Sequence, residues 1–133
     1  PRSRGLGDVY KRQKKNNLEF IQLIAPTSKN KTISDSVKND PSLIYYITQR
    51  GVTGLNNIDF SEVILKLKNI RTITDTPMIT GFGIRKPDQV RRFKEYTDGI
   101  VVGSFLIEKF LSSDPLREIS SSIKPLIDEL KNE

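Results

Sequence analysis

The feature that most constrains the fold is a fourfold alternation between short apolar runs and longer segments with helical periodicity. The apolar runs are four or five residues long and lie at 20–24, 43–47, 77–80 and 99–102. Short apolar runs that alternate with amphipathic segments are typical of buried parallel strands in βα units. The sequence therefore predicts an α/β fold in which helices cover a parallel sheet.

The segments between these runs carry helix signals. Helices are predicted at 32–38, 59–70 and 104–111, after Pro87, and from 114 to the end. Asp59 and Asp114 are predicted N-caps, and Pro87 and Pro115 suit the first helical turn. Two helices are predicted to carry apolar side chains on their inward faces, namely Phe60, Val63, Ile64 and Leu67 after Asp59, and Val90 and Phe93 after Pro87. A closed (β/α)8 barrel needs about 250 residues. Four units in 133 residues therefore predict a partial barrel.

Three glycine-containing loops follow the last three apolar runs, at 51–54, 81–83 and 103–104. Glycine lets backbone N–H groups approach a ligand closely, and a helix that begins at Ser104 offers further N–H groups. Loops after the last strands of a barrel commonly bind phosphate, so the pattern predicts a phosphate site. Taken alone, the loops at 51–54 and 81–83 are also compatible with a simple tight turn, but the three loops in this order favour the phosphate site. A dinucleotide fingerprint is excluded because Lys86 occupies its third glycine position.

The first thirteen residues are predicted to have a different origin from the rest. Residues 3–13, SRGLGDVYKRQ, resemble the in-frame translation of a transposase-type sequencing adaptor. A basic N-terminal arm is the alternative interpretation. We predict a non-native, unstructured segment at 1–13, followed by one domain at 14–133. Without residues 1–13, 18 basic and 15 acidic residues remain, and the net charge falls from +6 to +3.

Composition excludes several kinds of site. The chain contains no cysteine and no histidine, so disulfides, thiolate metal sites and a histidine base are absent, and no metal site is predicted. No apolar run reaches the roughly 20 residues of a membrane span, which favours a cytoplasmic location. Arg91, Arg92 and Lys94 cluster on one predicted helix, but such clusters are more often a solvated face. Binding to nucleic acid is therefore not expected.

The motifs, taken in order, resemble the C-terminal half of the tryptophan synthase alpha subunit family. The resemblance extends from Leu18 to about Leu130 through LIAPTS, IYYITQRGVTG, PMITGFGIRKPDQV and DGIVVGSFLIEKF. It implies units five to eight of a TIM barrel. Family members cleave indole-3-glycerol phosphate to indole and glyceraldehyde 3-phosphate by a retro-aldol reaction. Their partner is the beta subunit, and the pyridoxal phosphate belongs to that partner, so no cofactor is expected here.

The resemblance also implies roles for individual residues. It assigns the phosphate to backbone N–H groups of Gly54, Gly83, Gly103 and Ser104, and places Thr53 in a mobile loop that closes over the substrate. It places Tyr45 and Phe82 beside the indole ring. Ile24, at the end of its predicted strand, is expected to add to the same apolar wall.

No catalytic residue is predicted within the chain. The family's catalytic glutamate and aspartate belong to the second βα unit, which is expected to lie upstream of residue 14. Glu19, Asp75 and Asp98 precede their predicted strands and so lie at the edge that serves stability in barrels. Two hypotheses remain: part of a tryptophan synthase alpha subunit, and a non-catalytic phosphate-binding half-barrel or a piece of another phosphate-binding barrel, such as an epimerase or a relative of thiamine-phosphate synthase.

Overall fold

The fold is built on a four-stranded parallel sheet. The computed structural model describes residues 6–48, 60–81, 83–112 and 116–131. The strands pair in chain order and comprise β1 (Ile21–Ile24), β2 (Leu43–Ile47), β3 (Met78–Gly81) and β4 (Gly99–Ile100). All three pairings are parallel. The predicted parallel sheet is therefore confirmed.

Within the described residues, five helices follow the predicted order, and a sixth that was not predicted precedes β1. They are α1 (Leu6–Lys15), α2 (Asn30–Val37), α3 (Phe60–Arg71), α4 (Pro87–Lys94), α5 (Ser104–Leu111) and α6 (Leu116–Lys131). The bounds of α5 agree with the prediction, and α4 begins at Pro87 as expected. The predicted N-caps Asp59 and Asp114 lie outside the described residues. No helix within the described ranges has the length and apolar character needed to cross a bilayer.

The strand register separates two faces of the sheet. Ile24 pairs with Tyr46, and Tyr46 pairs with Thr80, and all three are at most 1% exposed. Leu23, Tyr45 and Ile79 occupy the intervening positions and are half-buried or exposed. Because side chains alternate along a strand, the first set faces the helices and the second set faces the opposite side.

The hydrophobic core lies between the helices and one face of the sheet. The predicted inward residues of α3 and α4 are confirmed, since Val63, Leu67, Val90 and Phe93 are all buried in one cluster with the strands. The rings of Phe60 and Phe93 lie 5.3 Å apart between centroids. The amphipathic pattern of the helices thus determines which face of the sheet is covered.

The expectation that residues 1–13 are unstructured is wrong over Leu6–Gln13. These residues form most of α1, which continues through Lys15 and carries Arg12, Lys14 and Lys15 in its last turn. Basic side chains at a helix C-terminus complement the helix dipole. The backbone carbonyl of Gln13 also accepts from Leu18 N–H at 2.9 Å, which links the helix end to the segment before β1.

Asp98 organises the edge at which the strands begin. Its Oδ2 atom accepts from the backbone N–H of Met78 and from Nη2 of Arg71, each at 2.7 Å. Partial burial raises the pKa of Asp98, but these hydrogen bonds outweigh it and leave the pKa below its ordinary value. Asp98 therefore joins the starts of β3 and β4 to the end of α3, a structural role.

Candidate functional site

Two of the predicted glycine loops meet at the edge where β3 and β4 end. Gly83 lies two residues after β3 and has a φ of 72°, a left-handed conformation that glycine adopts without strain. Gly103 lies directly before α5. Val101 N–H donates to the Thr80 carbonyl at 2.8 Å, which extends the pairing of the two strands toward these loops. The structure therefore brings Gly83 and Gly103 to the same end of neighbouring strands.

Helix α5 presents its N-terminus at this edge. The N–H of Ile107 donates to the Gly103 carbonyl at 3.1 Å, so the N–H groups of Ser104 and the next two residues precede the first bond within the helix. A Cβ atom placed on Gly103 would meet nothing within 4 Å. Gly103 is exposed and Ser104 half-buried. The helix start is thus open to an anion, which its dipole favours.

Tyr45 lies on the sheet face that points away from the helices. Its hydroxyl donates to the Gly81 carbonyl on β3 at 3.3 Å, which directs the phenol toward the strand end near Gly83. Leu23 and Ile79 are its register partners on the two neighbouring strands. Together these three side chains form an apolar surface on the strands that precede the glycine loops.

Ile24 does not contribute to that surface, and the expectation that it shares an apolar wall with Tyr45 is wrong. It is 1% exposed and belongs to the core on the helix side of the sheet. The error has a simple cause, because a shift of one residue along a strand reverses the face on which a side chain lies. Leu23, the register partner of Tyr45, lies on the face of the sheet that Ile24 was expected to share with Tyr45.

Apart from Ile24, four of the predicted site residues lie within the described residues, and three do not. Tyr45, Gly83, Gly103 and Ser104 come from three consecutive βα units and lie toward the same edge of the sheet. Thr53, Gly54 and Phe82 lie outside the described residues, and their roles stay predictions.

The sequence analysis missed an ion pair that joins the two loop regions. Nη1 of Arg85 donates to Oε2 of Glu108 at 2.6 Å, and Nη2 of Arg85 donates to Oε1 of the same carboxylate. The hydrogen bonds raise the pKa of Arg85 and lower that of Glu108. The partners lie 23 residues apart, and no local sequence signal joins them. Only the adjacency of β3 and β4 in the sheet could have indicated this contact.

A groove of about 520 Å³ lies at the opposite edge, between the ends of α3 and α4. Its basic side chains are already engaged. Arg71 pairs with Asp98, and Nζ of Lys68 lies 5.0 Å from the centre of the Tyr96 ring. Nζ of Lys94 donates to the Glu129 carbonyl at 3.0 Å. The groove is distant from the glycine loops and lies where barrels carry stability rather than chemistry.

The chain matches the family model described as tryptophan synthase alpha chain over residues 5–132. Among curated relatives, the tryptophan synthase alpha chain of Staphylococcus carnosus (strain TM300) is 36% identical over 129 residues, which cover 95% of this chain and 52% of the relative. That of Carboxydothermus hydrogenoformans is 41% identical over 91 residues, or 68% of this chain and 34% of the relative. The chain spans at most about half the length of these relatives. The predicted boundary at residue 14 stays a prediction.

The comparison with solved structures also matches most of this chain to about half of a longer one. The tryptophan synthase subunit alpha of Campylobacter jejuni superposes with a TM-score of 0.74 at 26% identity, over 94% of this chain and 51% of that one. Structural neighbours of this kind are TIM barrels. The four βα units described above therefore correspond to about half of a barrel, and the predicted partial TIM barrel is confirmed.

Proposed function

The chain belongs to the tryptophan synthase alpha chain family, and we propose that it forms the phosphate-binding half of an enzyme that cleaves indole-3-glycerol phosphate. The reaction is a retro-aldol lysis, a carbon–carbon lyase step that yields indole and glyceraldehyde 3-phosphate. In this proposal the chain binds the substrate, and the acid and base that move protons belong to a different part of the parent enzyme. The cytoplasmic location expected from the sequence is part of the same proposal.

One observation supports this proposal most directly. A left-handed Gly83 and the open start of α5 lie at the ends of neighbouring strands, with Tyr45 on the next strand. Backbone N–H groups from Gly83, Gly103 and Ser104 can bind a phosphate dianion, because each donates along a fixed direction and the helix dipole adds to the attraction. The phenol of Tyr45 and the side chains of Leu23 and Ile79 offer the apolar surface that a flat indole ring requires.

A second candidate function is phosphate binding without chemistry. General acid–base catalysis needs a carboxylate within reach of the reacting atoms. Within the described residues, Glu19, Asp75 and Asp98 precede strands at the far edge of the sheet. Glu108 lies nearer to the loops, but Arg85 occupies both of its oxygens. We therefore expect the 133-residue chain alone to bind the substrate and not to cleave it.

Calorimetric titration of the 133-residue chain with glycerol 3-phosphate and with indole tests the binding proposal. We expect both to bind, and Tyr45→Ala to weaken indole binding while leaving glycerol 3-phosphate binding unchanged. Failure of the chain to bind glycerol 3-phosphate would contradict the proposal. Binding of phosphate with no binding of indole would favour another phosphate-binding barrel.

A separate assay tests the absence of chemistry. Indole release from indole-3-glycerol phosphate is followed by absorbance, with buffer as the reference. Release above buffer that is abolished by Glu108→Gln would show that the chain contains its own acid or base.

The proposed protein partner is the beta subunit of tryptophan synthase. Family members work with that subunit, which receives the indole. Calorimetric titration of the beta subunit into this chain measures the contact directly. Heat of binding that saturates at one chain per beta subunit is the expected result.

A further inference from the structure

A bidentate ion pair connects the loop after β3 to helix α5. Arg85 and Glu108 form two parallel hydrogen bonds, and each partner lies close to a proposed phosphate-binding group. Arg85 is two residues beyond Gly83, and Glu108 is four residues beyond Ser104, about one helical turn. The pair thus bridges the two loop regions that the phosphate must contact together.

The backbone at Arg85 is itself fixed. Oε1 of Gln89 accepts from Arg85 N–H at 2.7 Å and from Lys86 N–H at 3.0 Å, which attaches the loop to the first turn of α4. These bonds restrain the backbone two residues beyond Gly83. On the other side, Glu108 belongs to the same regular helix as Ser104. The contact consequently joins two firmly held backbone segments.

We propose that Arg85 and Glu108 are positioning residues that hold the Gly83 loop and the first turn of α5 at the separation a bound phosphate requires. This inference rests on the proposed function. Among the described residues, which do not include Phe82, Val101 N–H and the Thr80 carbonyl are paired next to the loops, and the Arg85–Glu108 contact joins the two segments beyond that point. A guanidinium–carboxylate fork restricts both distance and orientation, which a single hydrogen bond does not.

The same geometry argues against direct binding of phosphate by Arg85. Both terminal nitrogens of its guanidinium already donate to Glu108, and the carboxylate neutralises the charge. If Arg85 bound the phosphate directly, removing Glu108 would release the cation and strengthen binding. If the pair instead fixes the loop separation, loss of either partner weakens binding alike.

The test measures the affinity of the 133-residue chain for glycerol 3-phosphate in Arg85→Ala, Glu108→Ala, the double alanine variant and the charge-reversed pair Arg85→Glu with Glu108→Arg. A matched control exists in Arg91, whose Nε and Nη2 atoms each donate to Glu129 at 2.9 Å. That pair joins α4 to α6 and touches neither loop. Melting by circular dichroism confirms that every variant is folded.

We expect each single alanine variant to bind glycerol 3-phosphate about two- to fivefold more weakly, as an exposed ion pair allows. The double variant should be no weaker than either single one, the charge-reversed pair should recover affinity, and Arg91→Ala should match the wild type. Tighter binding by Glu108→Ala, or unchanged binding in both single variants, overturns this inference alone. Failure of the wild type to bind glycerol 3-phosphate overturns the proposed function and this inference with it.

Discussion

Gly81 on β3 lies so close to Val101 that an added Cβ atom would clash with the Val101 carbonyl oxygen and stand 2.7 Å from the Val101 Cβ atom. The Val101 oxygen is a backbone atom and the Cβ atom is bonded to the backbone, so a change of side-chain rotamer moves neither of them. The close approach lets the segment that follows β4 remain paired beside β3 as the loops begin. Glycine at this position is therefore a requirement of packing between strands.

Gly81→Ala should lower the free energy of unfolding by about 1–3 kcal/mol, the usual cost of forcing a methyl group into a filled site. Urea unfolding followed by circular dichroism measures the change. Gly103→Ala is the matched control, because an added Cβ atom meets nothing within 4 Å there. Equal stability of the two variants would show that β3 and the residues after β4 are further apart than described.

Gly83→Val should weaken glycerol 3-phosphate binding much more than Arg85→Ala. The left-handed backbone at Gly83 disfavours a β-branched side chain, and the side chain would also block approach of the N–H groups. Loss of one charge-assisted N–H contact costs about 1.5–3 kcal/mol, or roughly ten- to a hundredfold in affinity. Calorimetric titration of both variants provides the comparison. A larger loss in Arg85→Ala would contradict binding by the loop backbone.

Asp98→Asn should lower the free energy of unfolding by about 1 kcal/mol at neutral pH, because the charge that faces Arg71 is lost. The pKa of Asp98 is lower in the folded state than in the unfolded chain. Its contribution is therefore complete above the unfolded pKa, about 4, and disappears as the pH falls through the lower folded value. Urea unfolding from pH 7 down to pH 3 should show the two proteins converging.

Asp128→Asn serves as the control for that series, since Asp128 is exposed on α6. It should follow the wild type at every pH. If the difference in unfolding free energy between the wild type and Asp98→Asn instead grew as the pH fell, the Asp98 carboxylate would not be stabilised by its hydrogen bonds to Arg71 and Met78.

Leu67→Ala should cost about 2–5 kcal/mol of unfolding free energy, because Leu67 is fully buried between α3 and the sheet. Leu65 belongs to the same helix and is 70% exposed, so Leu65→Ala should change stability by less than about 0.5 kcal/mol. Urea unfolding of both proteins measures the difference. Similar losses at the two positions would mean that the helix packs through another face.

The sequence predicted those elements for which local chemistry and tertiary packing agree. Helix α5 was predicted with its observed bounds because Gly103 and Ser104 mark its start. The inward face of α3 followed from the spacing of Phe60, Val63 and Leu67. In both cases a pattern within one segment determines the structure.

The predictions were wrong or incomplete where the position of a side chain depends on a neighbouring segment. Apolar residues occur on both faces of β1, so the sequence alone does not show whether Leu23 or Ile24 faces the helices. The pair of Arg85 with Glu108 required knowledge that β3 and β4 are adjacent. The resemblance of residues 3–13 to a translated adaptor suggested no structure, yet Leu6–Lys15 form a helix.

The sheet face opposite the helices has a practical consequence for measurements on this chain. Ile21 and Leu23 are 52% and 60% exposed in the folded protein, and Leu23 is the register partner of Tyr45. Environment-sensitive dyes such as anilinonaphthalene sulfonate fluoresce on exposed apolar surface of this kind. The native chain should therefore give a strong dye signal before any heating, and a dye-based melting curve would begin from a high baseline. Backbone circular dichroism reports its unfolding without that background.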